Sequence, residues 1–379
     1  MNIIHICLGC FYVEGMGYQE NIITKMHAKQ GHKVYVLTSD FAFNGKGEAI
    51  KKEDLEYTNE FGVKVKVLKR SGDFFGRYGK FEGLFNELQT LEPDVIFVHG
   101  GNFVSLNDVI KYCKKTGCKM FMDQHSDYYN CPIKTIKQKI IFTGLFGHFM
   151  RKAVPYTTKF WGVTPWRCEY LRDVFKIPQN KIDLLIMGGD DDKIHFEKMP
   201  ELRNDIRKEL NLSDDDFVVV TGGKIDRTKN IHLLMQAVAE LGGRVKLIVF
   251  GSPNAEMQEE ITELSKNENI CFLDWIPADK VYDYFLASDL CVFPGTHSVL
   301  WEQACACGVP SLFKYWEGMR HVSVNGNADF LYKDSKDEIK EKIADLFSDG
   351  EKYSQMKKAA QDCKNEFIYS EISKKAIAI

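Results

Sequence analysis

The stretch VFPGTHSVLWEQACACGVP, residues 292–310, decides the fold class. An apolar strand ends at Pro294-Gly295, a short loop Thr296-His297-Ser298 follows, and Val299 to Cys307 has helix-like composition closed by Gly308. VPSLF (309–313) then opens the next strand. A strand, a helix and a second strand in so few residues make a crossover unit of a parallel sheet. The start of such a helix presents unpaired N–H groups and the positive end of the helix dipole, which suits a diphosphate. Glu302 falls about one turn into the helix, placed to accept hydrogen bonds from ribose hydroxyls. An ordinary strand, loop and helix with a surface glutamate has the same appearance, so this segment alone leaves the function open.

The same alternation surrounds it. FVVVTGG (217–223), VKLIVFG (245–251), NICFLDW (269–275) and DLCVFPG (289–295) read as strands separated by helical patterns. An earlier series runs through IIHICLG (3–9), VYVLTS (34–39), VKVKVL (63–68), DVIFVHG (94–100), CKMFMDQHS (118–126) and KFWGVTP (159–165). Between the two lies FEKMPELRNDIRKELNLSDDD (196–216), charged, carrying Pro200 and lacking a long apolar run, which places a linker near its start. The expected architecture is α/β, with two Rossmann-like β/α/β domains facing a cleft, the first over 1–196 and the second over 197–361. The charged, helical tail from about 362 to 379 has no strand left to pair with and is expected outside the sheet or back on the first domain. Ligands of such sheets sit beyond the carboxyl ends of the strands.

Composition agrees with this reading. A chain of 379 residues exceeds what one core usually supports. The 44% hydrophobic and 27% charged fractions are those of a globular protein, and the net charge of -3 argues against a dedicated nucleic-acid binder. No stretch approaches the roughly 20 apolar residues of a membrane span. The opening MNIIHICLGC reads as a buried strand and not as a signal peptide. The 11 cysteines are scattered, which suits a reducing cytosol, and the single C-x-x-C of Cys7 and Cys10 lacks a second pair at zinc spacing. The expected location is cytoplasmic.

At Glu302-Gln303-Ala304-Cys305-Ala306-Cys307-Gly308-Val309-Pro310 the sequence resembles the retaining GT-B glycosyltransferases of family 4, the glycosyl transferases group 1. In those enzymes a loop enters a helix ending in Glu-Ala-x-Ala-x-Gly-x-Pro. The resemblance implies that Glu302 binds the ribose of a nucleotide-sugar donor and that His297, Ser298, Val299 and Leu300 line its distal phosphate and sugar. The family's earlier Glu, eight residues before the helix Glu, is Pro294 here. VVVTGGKIDRTKN (218–230) is similar to the family's Gly-Arg-x-x-x-x-Lys segment. It assigns Gly223, Lys224 and Lys229 to the diphosphate, with a lysine in place of the fork-shaped arginine. Ile276, just beyond the strand NICFLDW, is a further donor-binding candidate. LLIMGGDDDKIHF (184–196) is similar to the family's hinge turn; its Asp190-x-Asp192 spells D-x-D, but three adjacent acids after two glycines more often form a turn than a metal site.

In the first half, Gly15-Met16-Gly17 follows the first strand where family members carry a Gly-Gly turn, and Gly17 is the preferred match. Asp123-Gln124-His125-Ser126-Asp127 resembles the segment whose His contacts the transferred sugar, which implies a catalytic role for His125 with Lys224 and Lys229. KTIKQKIIFTGLFGHFMRKAVPY (134–156) sets Lys134, Lys137, Lys139, Arg151 and Lys152 around apolar residues, a pattern shared by a peripheral membrane surface and a buried helix.

The resulting expectation is a hexosyl- or N-acetylhexosaminyl-transferase. It moves a sugar from a nucleoside diphosphate sugar, with uracil as the preferred base, to a glycan or lipid-linked acceptor in cell-surface polysaccharide assembly. No metal or other cofactor is required on this reading, because lysines and backbone amides cover the diphosphate. The alternatives are a catalytically silent binder of a nucleotide sugar or glycan, and an epimerase or phosphorylase on the same fold. A dinucleotide-dependent oxidoreductase is disfavoured, since no G-x-G-x-x-G opens either half.

Overall fold

The computed structural model describes every residue except 11, 44–48, 52–54, 75–77 and 379. The chain divides into two units, Met1–Ile186 with Ile372–Ile379, and Met187–Glu371.

The first unit is built on an eight-stranded sheet. Its order is Ile182–Leu184, Thr157–Gly162, Lys119–Gln124, Val95–His99, Asn2–Cys7, Lys33–Ser39, Lys64–Leu68 and Glu56–Thr58. All neighbours are parallel except the last pair, where Glu56–Thr58 runs against Lys64–Leu68. Runs such as Ile3, Ile4 and Ile6 or Val95 to Val98 are buried on both faces, which is why they read as continuous apolar segments and not as alternation. Helices Leu84–Leu91, Leu106–Thr116 and Gly147–Ala153 cover one face through Leu88, Val109, Ile110 and Met150.

The second unit carries a six-stranded, all-parallel sheet. Its order is Ile270–Phe272, Val245–Phe250, Phe217–Gly222, Leu290–Phe293, Ser311–Lys314 and Ala328–Leu331. The last strand, ADFL, is too short and too polar at Asp329 to stand out in the sequence.

The boundary falls at 186/187 and not at 196/197. Gly189 makes a bridge with Ile368, donating to Phe367 O at 2.8 Å and accepting from Tyr369 N at 3.0 Å. Asp190 N donates to the Tyr282 hydroxyl at 3.0 Å. These bonds tie the Gly-Gly-Asp turn to the second unit. Asp190 caps the next turn by accepting from Asp192 N at 3.3 Å, as expected of a turn residue. The charged stretch read as a linker is a helix, Met199–Glu209, with Pro200 in its first turn where a missing N–H costs nothing. Its Arg207 is buried: the guanidinium donates to Asp289 Oδ2 at 2.7 Å and to the carbonyls of Ser213 and Asp216 at 2.9 and 3.1 Å.

The tail divides as well. Ile372–Ile379 belongs to the first unit, where Trp161 Nε1 donates to Ala376 O at 3.0 Å. No helix among the described residues is long and apolar enough to cross a membrane. The basic segment forms helix Ile136–Lys139, a wide π-helical turn over Ile140–Phe146 that accommodates Gly144, and helix Gly147–Ala153. Phe146 and Met150 are buried in the core, while Ile136 (80% exposed) and Ile140 stay on the surface. All eleven cysteines are free thiols; Cys7 and Cys113 are buried in the first unit, and Cys291, Cys305, Cys307 and Cys363 in the second.

Candidate functional site

In the second unit two loops leave adjacent parallel strands at their carboxyl ends. One follows Phe217–Gly222 and runs through Gly223 and Lys224 to Lys229; the other follows Leu290–Phe293 and runs from Pro294 to Val299. They are braced together. Lys229 Nζ donates to the carbonyls of Thr296 at 2.7 Å and His297 at 3.2 Å, and Thr296 N donates to Thr228 O at 3.0 Å. Gly295 lies so close to this loop that a Cβ would stand 2.3 Å from the carbonyl carbon of Lys229. Asn230, in the left-handed conformation at φ 54°, donates to Pro294 O at 3.1 Å. Gly223 turns the first loop with φ +109° beside the Leu300 side chain.

The two lysines therefore differ. Burial lowers the Lys229 pKa, and two of its three N–H donors are used in holding the second loop. Lys224 is 72% exposed and rests on Asp226 Oδ2 at 3.2 Å.

Helix Leu300–Ala306 is seven residues long. Trp301 is buried and stacks on Phe313, with ring centroids 4.7 Å apart. That contact sets the rotation of the helix, turning Glu302 inward and leaving Gln303 half-buried at the surface. Glu302 is 0% exposed. Its Oε1 accepts from His297 Nε2 at 2.8 Å and from His321 Nε2 at 2.7 Å, while Oε2 is buried without a partner. Burial pushes this carboxyl up, but the charge and hydrogen bond of His297, together with those of His321, win and hold it at about 2. Glu302, expected at the ribose, here turns its Oε1 to two histidines of its own chain. The family pattern Glu-Ala-x-Ala-x-Gly-x-Pro places its Glu five residues before Gly and seven before Pro. Counting back from Gly308 and Pro310, that register belongs to Gln303.

His297, Glu302 and His321 have one ligating atom each within 4.8 Å of one another. The two histidine–carboxylate separations are hydrogen-bond lengths, 2.8 and 2.7 Å. Ligands sharing a tetrahedral zinc at about 2.0–2.2 Å would stand roughly 3.3 Å apart. As placed, the trio is a hydrogen-bonded carboxylate.

Ser298, Val299 and Leu300 are half-buried at the turn into the helix, with Trp301 N donating to Ser298 O at 3.0 Å. Ile276 is half-buried beyond strand Ile270–Phe272. Its neighbour Trp275 is 69% exposed, an unusual place for a tryptophan and a candidate that sequence reasoning passed over as part of the strand.

In the first unit, Gly15 carries the left-handed backbone, φ +76°, and Gly17 sits in open space. The demand for glycine in this turn falls on Gly15, not on the expected Gly17. His125 is 37% exposed, with Nε2 3.6 Å from Asp123 Oδ1. Asp123 is fully buried, accepting from His99 Nδ1 at 2.7 Å and Gly100 N at 3.0 Å. Burial opposes its ionisation, yet the neighbouring His99 and His125 hold it well below the usual carboxylate range.

The family Glycosyl transferases group 1 matches residues 203–362. An uncharacterized glycosyltransferase of Methanocaldococcus jannaschii is 20% identical over 222 residues, 56% of either chain. D-inositol 3-phosphate glycosyltransferase 1 of Catenulispora acidiphila is 28% identical over 128 residues, 29% of this chain and 31% of that one. The chain thus spans about half or less of the length of these curated relatives. Among solved structures, Anabaena HepE in complex with UDP aligns with a TM-score of 0.69 at 18% identity, over 99% of this chain and 98% of that one. The brace of loops at the carboxyl ends of the second sheet lies inside the matched residues, and both units have the Rossmann-like form of the aligned structure. Residues 203–362 are thus similar to the family Glycosyl transferases group 1, and the fold is GT-B.

Proposed function

We propose that this protein transfers a sugar from a nucleoside diphosphate sugar, with uracil as base, to a glycan or lipid-linked acceptor, with retained anomeric configuration and without a metal. The observation that carries the reading is the brace between Lys229 and the carbonyls of Thr296 and His297. It fixes two loops at the carboxyl ends of neighbouring parallel strands, where sheets of this kind take nucleotides. Lys224 swings from Asp226 to the diphosphate and offsets the charge that grows as the nucleotide leaves. Gln303 meets the ribose and offers both a donor and an acceptor. His125 faces the transferred sugar. Among the described residues no pair of carboxylates is assigned to double displacement, and the bond to the acceptor forms on the face from which the nucleotide departs. HepE, the aligned structure, holds UDP, which supports the choice of base.

The acceptor side draws on the surface of the first unit. Ile136 and Ile140 are exposed beside Lys134, Lys137 and Lys139, an arrangement that suits the anionic inner face of a membrane and a lipid-linked acceptor in polysaccharide assembly.

The test is calorimetric titration of UDP, GDP and ADP, without metal, into wild type, Lys224→Ala and Gln303→Ala, followed by incubation with UDP-sugars and acceptor panels. UDP binding that weakens in both variants, with sugar transfer, supports the reading. Binding without turnover makes the protein a silent nucleotide-sugar binder; no nucleotide binding overturns the placement of the site.

A further inference from the structure

The first unit buries a line of ionisable side chains apart from the residues assigned to the donor. His5, His27, His99 and Asp123 are all 0% exposed. Three of them come from adjacent strands: Asp123 is the register partner of His99, and His5 lies on the next strand, paired with Phe97. His27 comes from helix Gln19–Lys29. They touch in sequence. Asp123 Oδ2 meets His99 Nδ1 at 2.7 Å, His99 Nε2 meets His5 Nδ1 at 2.9 Å, His5 Nε2 meets His27 Nδ1 at 2.9 Å, and His27 Nε2 meets Ser373 O at 2.9 Å.

The far end fixes the direction of every bond. A backbone carbonyl only accepts, so His27 Nε2 carries a proton. If His27 is neutral its Nδ1 is bare and accepts from His5 Nε2–H; His5 Nδ1 is then bare and accepts from His99 Nε2–H. At the near end Asp123 also receives Gly100 N–H at 3.0 Å and lies 3.6 Å from His125 Nε2. Donors converging on one carboxyl favour its ionised form. An ionised Asp123 requires a proton on His99 Nδ1 as well. The three rings then hold four protons and one positive charge between them. Shifting protons along the line moves that charge to His5 or His27, but only His99 touches an anion. Other groups facing the line are Cys7 and Glu20 near His99, Cys10 near Asp123, and the His32 ring 6.0 Å from His27. Burial raises the Glu20 pKa, and Asp123 is the carboxylate hydrogen-bonded to the line.

We infer that His27, His5 and His99 form a one-way hydrogen-bonded line, anchored on the Ser373 carbonyl, that holds His99 as an imidazolium against an ionised Asp123 and thereby positions His125. The line ends on an acceptor with no proton to pass on, so it sets charge and orientation and carries no proton flow. His99, His5 and His27 are positioning residues, and their purpose rests on the reading of His125 as the residue facing the sugar. The chemical states of the line do not.

The test is nitrogen NMR of histidine-labelled full-length protein at pH 7, with no substrate. Expected are two protonated nitrogens on His99 and an Nε2–H tautomer on both His5 and His27. His27→Gln, whose amide both accepts and donates, keeps that pattern; His27→Leu leaves His5 Nε2–H without its acceptor and redistributes it. His99→Gln shifts the His125 nitrogens, with which it shares no contact, while His148→Gln leaves them in place. A bare nitrogen on His99, an Nδ1–H tautomer on His5 or the charge on His27, each read in the wild type, overturns the inference, as do unmoved His125 resonances in His99→Gln. Failure of nucleotide binding would instead strike the functional reading and leave this pattern standing.

Discussion

Glu302 and Gln303 are consecutive on one helix and serve opposite surroundings: the carboxylate is sealed inside on two histidines, and the amide stands at the surface. Their substitutions should therefore separate. Glu302→Ala leaves His297 and His321 without an acceptor and should lower the unfolding free energy by about 3 kcal/mol. Gln303→Ala should change it by less than about 0.5 kcal/mol while weakening UDP at least tenfold. Urea unfolding and calorimetry on both variants check the split; equal stability losses would refute it.

Gly295→Ala should disrupt the brace. Its Cβ would meet Lys229 backbone at 2.3–2.4 Å, which a side-chain rotation cannot relieve. A destabilisation of about 1–3 kcal/mol is expected, together with loss of nucleotide binding. Gly350→Ala, placed in open space, is the control and should leave both unchanged.

Arg207→Ala should be among the costlier single changes in the second unit. It removes the buried partner of Asp289 Oδ2 and uncaps the carbonyls of Ser213 and Asp216. A loss of about 3–5 kcal/mol follows from stranding a buried charge. Arg203, partly exposed and bonded to the other oxygen of Asp289 at 2.6 Å, should cost less. Denaturation midpoints of the two alanine variants give the order.

Stability should peak near pH 6.5 and fall on both sides. Burial alone would lower the His99 pKa, but Asp123 overrides it and carries it to about 9, above the ordinary 6.5. The folded state then holds a proton that the unfolded state releases, and stability is lost as pH rises from 6.5 through 9. Burial lowers His27 to about 4 and His5 well below 6.5. There the unfolded state takes up protons first, and stability is lost as pH falls from 6.5 toward 4. Thermal melts from pH 4 to 10 should show both limbs, and His99→Gln should flatten the alkaline one.

Replacing Lys134, Lys137 and Lys139 by Ser should abolish sedimentation with anionic liposomes without shifting the melting temperature. Arg151 is kept because it donates to Thr143 O and Phe175 O, both at 3.2 Å. Unchanged sedimentation would remove the membrane from the proposed function.

Much of the architecture was legible because parallel strands buried on both faces are long apolar runs, as at Val95 to Val98 and Phe217 to Val220. Glu56–Thr58, Ile182–Leu184 and Ala328–Leu331 escaped, being three or four residues long and held by their neighbours in the sheet. The turn at Gly189 looked like the end of the first domain because its partner, Ile368, lies far along the chain. The candidate site was legible as a set of segments but not as a set of roles. Nothing local tells that Lys229 props a loop while Lys224 is exposed, or that the Trp301–Phe313 stack turns Glu302 inward. The histidine line was invisible for the same reason: its members are scattered from His5 to Asp123 and end on Ser373.

The buried free thiols make the molecule its own gauge of where it opens. A thiol shielded from solvent reacts with an alkylating reagent only when its surroundings unfold, locally or wholly. Cys7 and Cys113 sample the first unit, and Cys291, Cys305, Cys307 and Cys363 the second. Alkylation read peptide by peptide would therefore time the breathing of each unit separately, with no label added. A nucleotide seated on the second sheet should slow labelling at Cys291, Cys305 and Cys307 and leave Cys113 at its own pace.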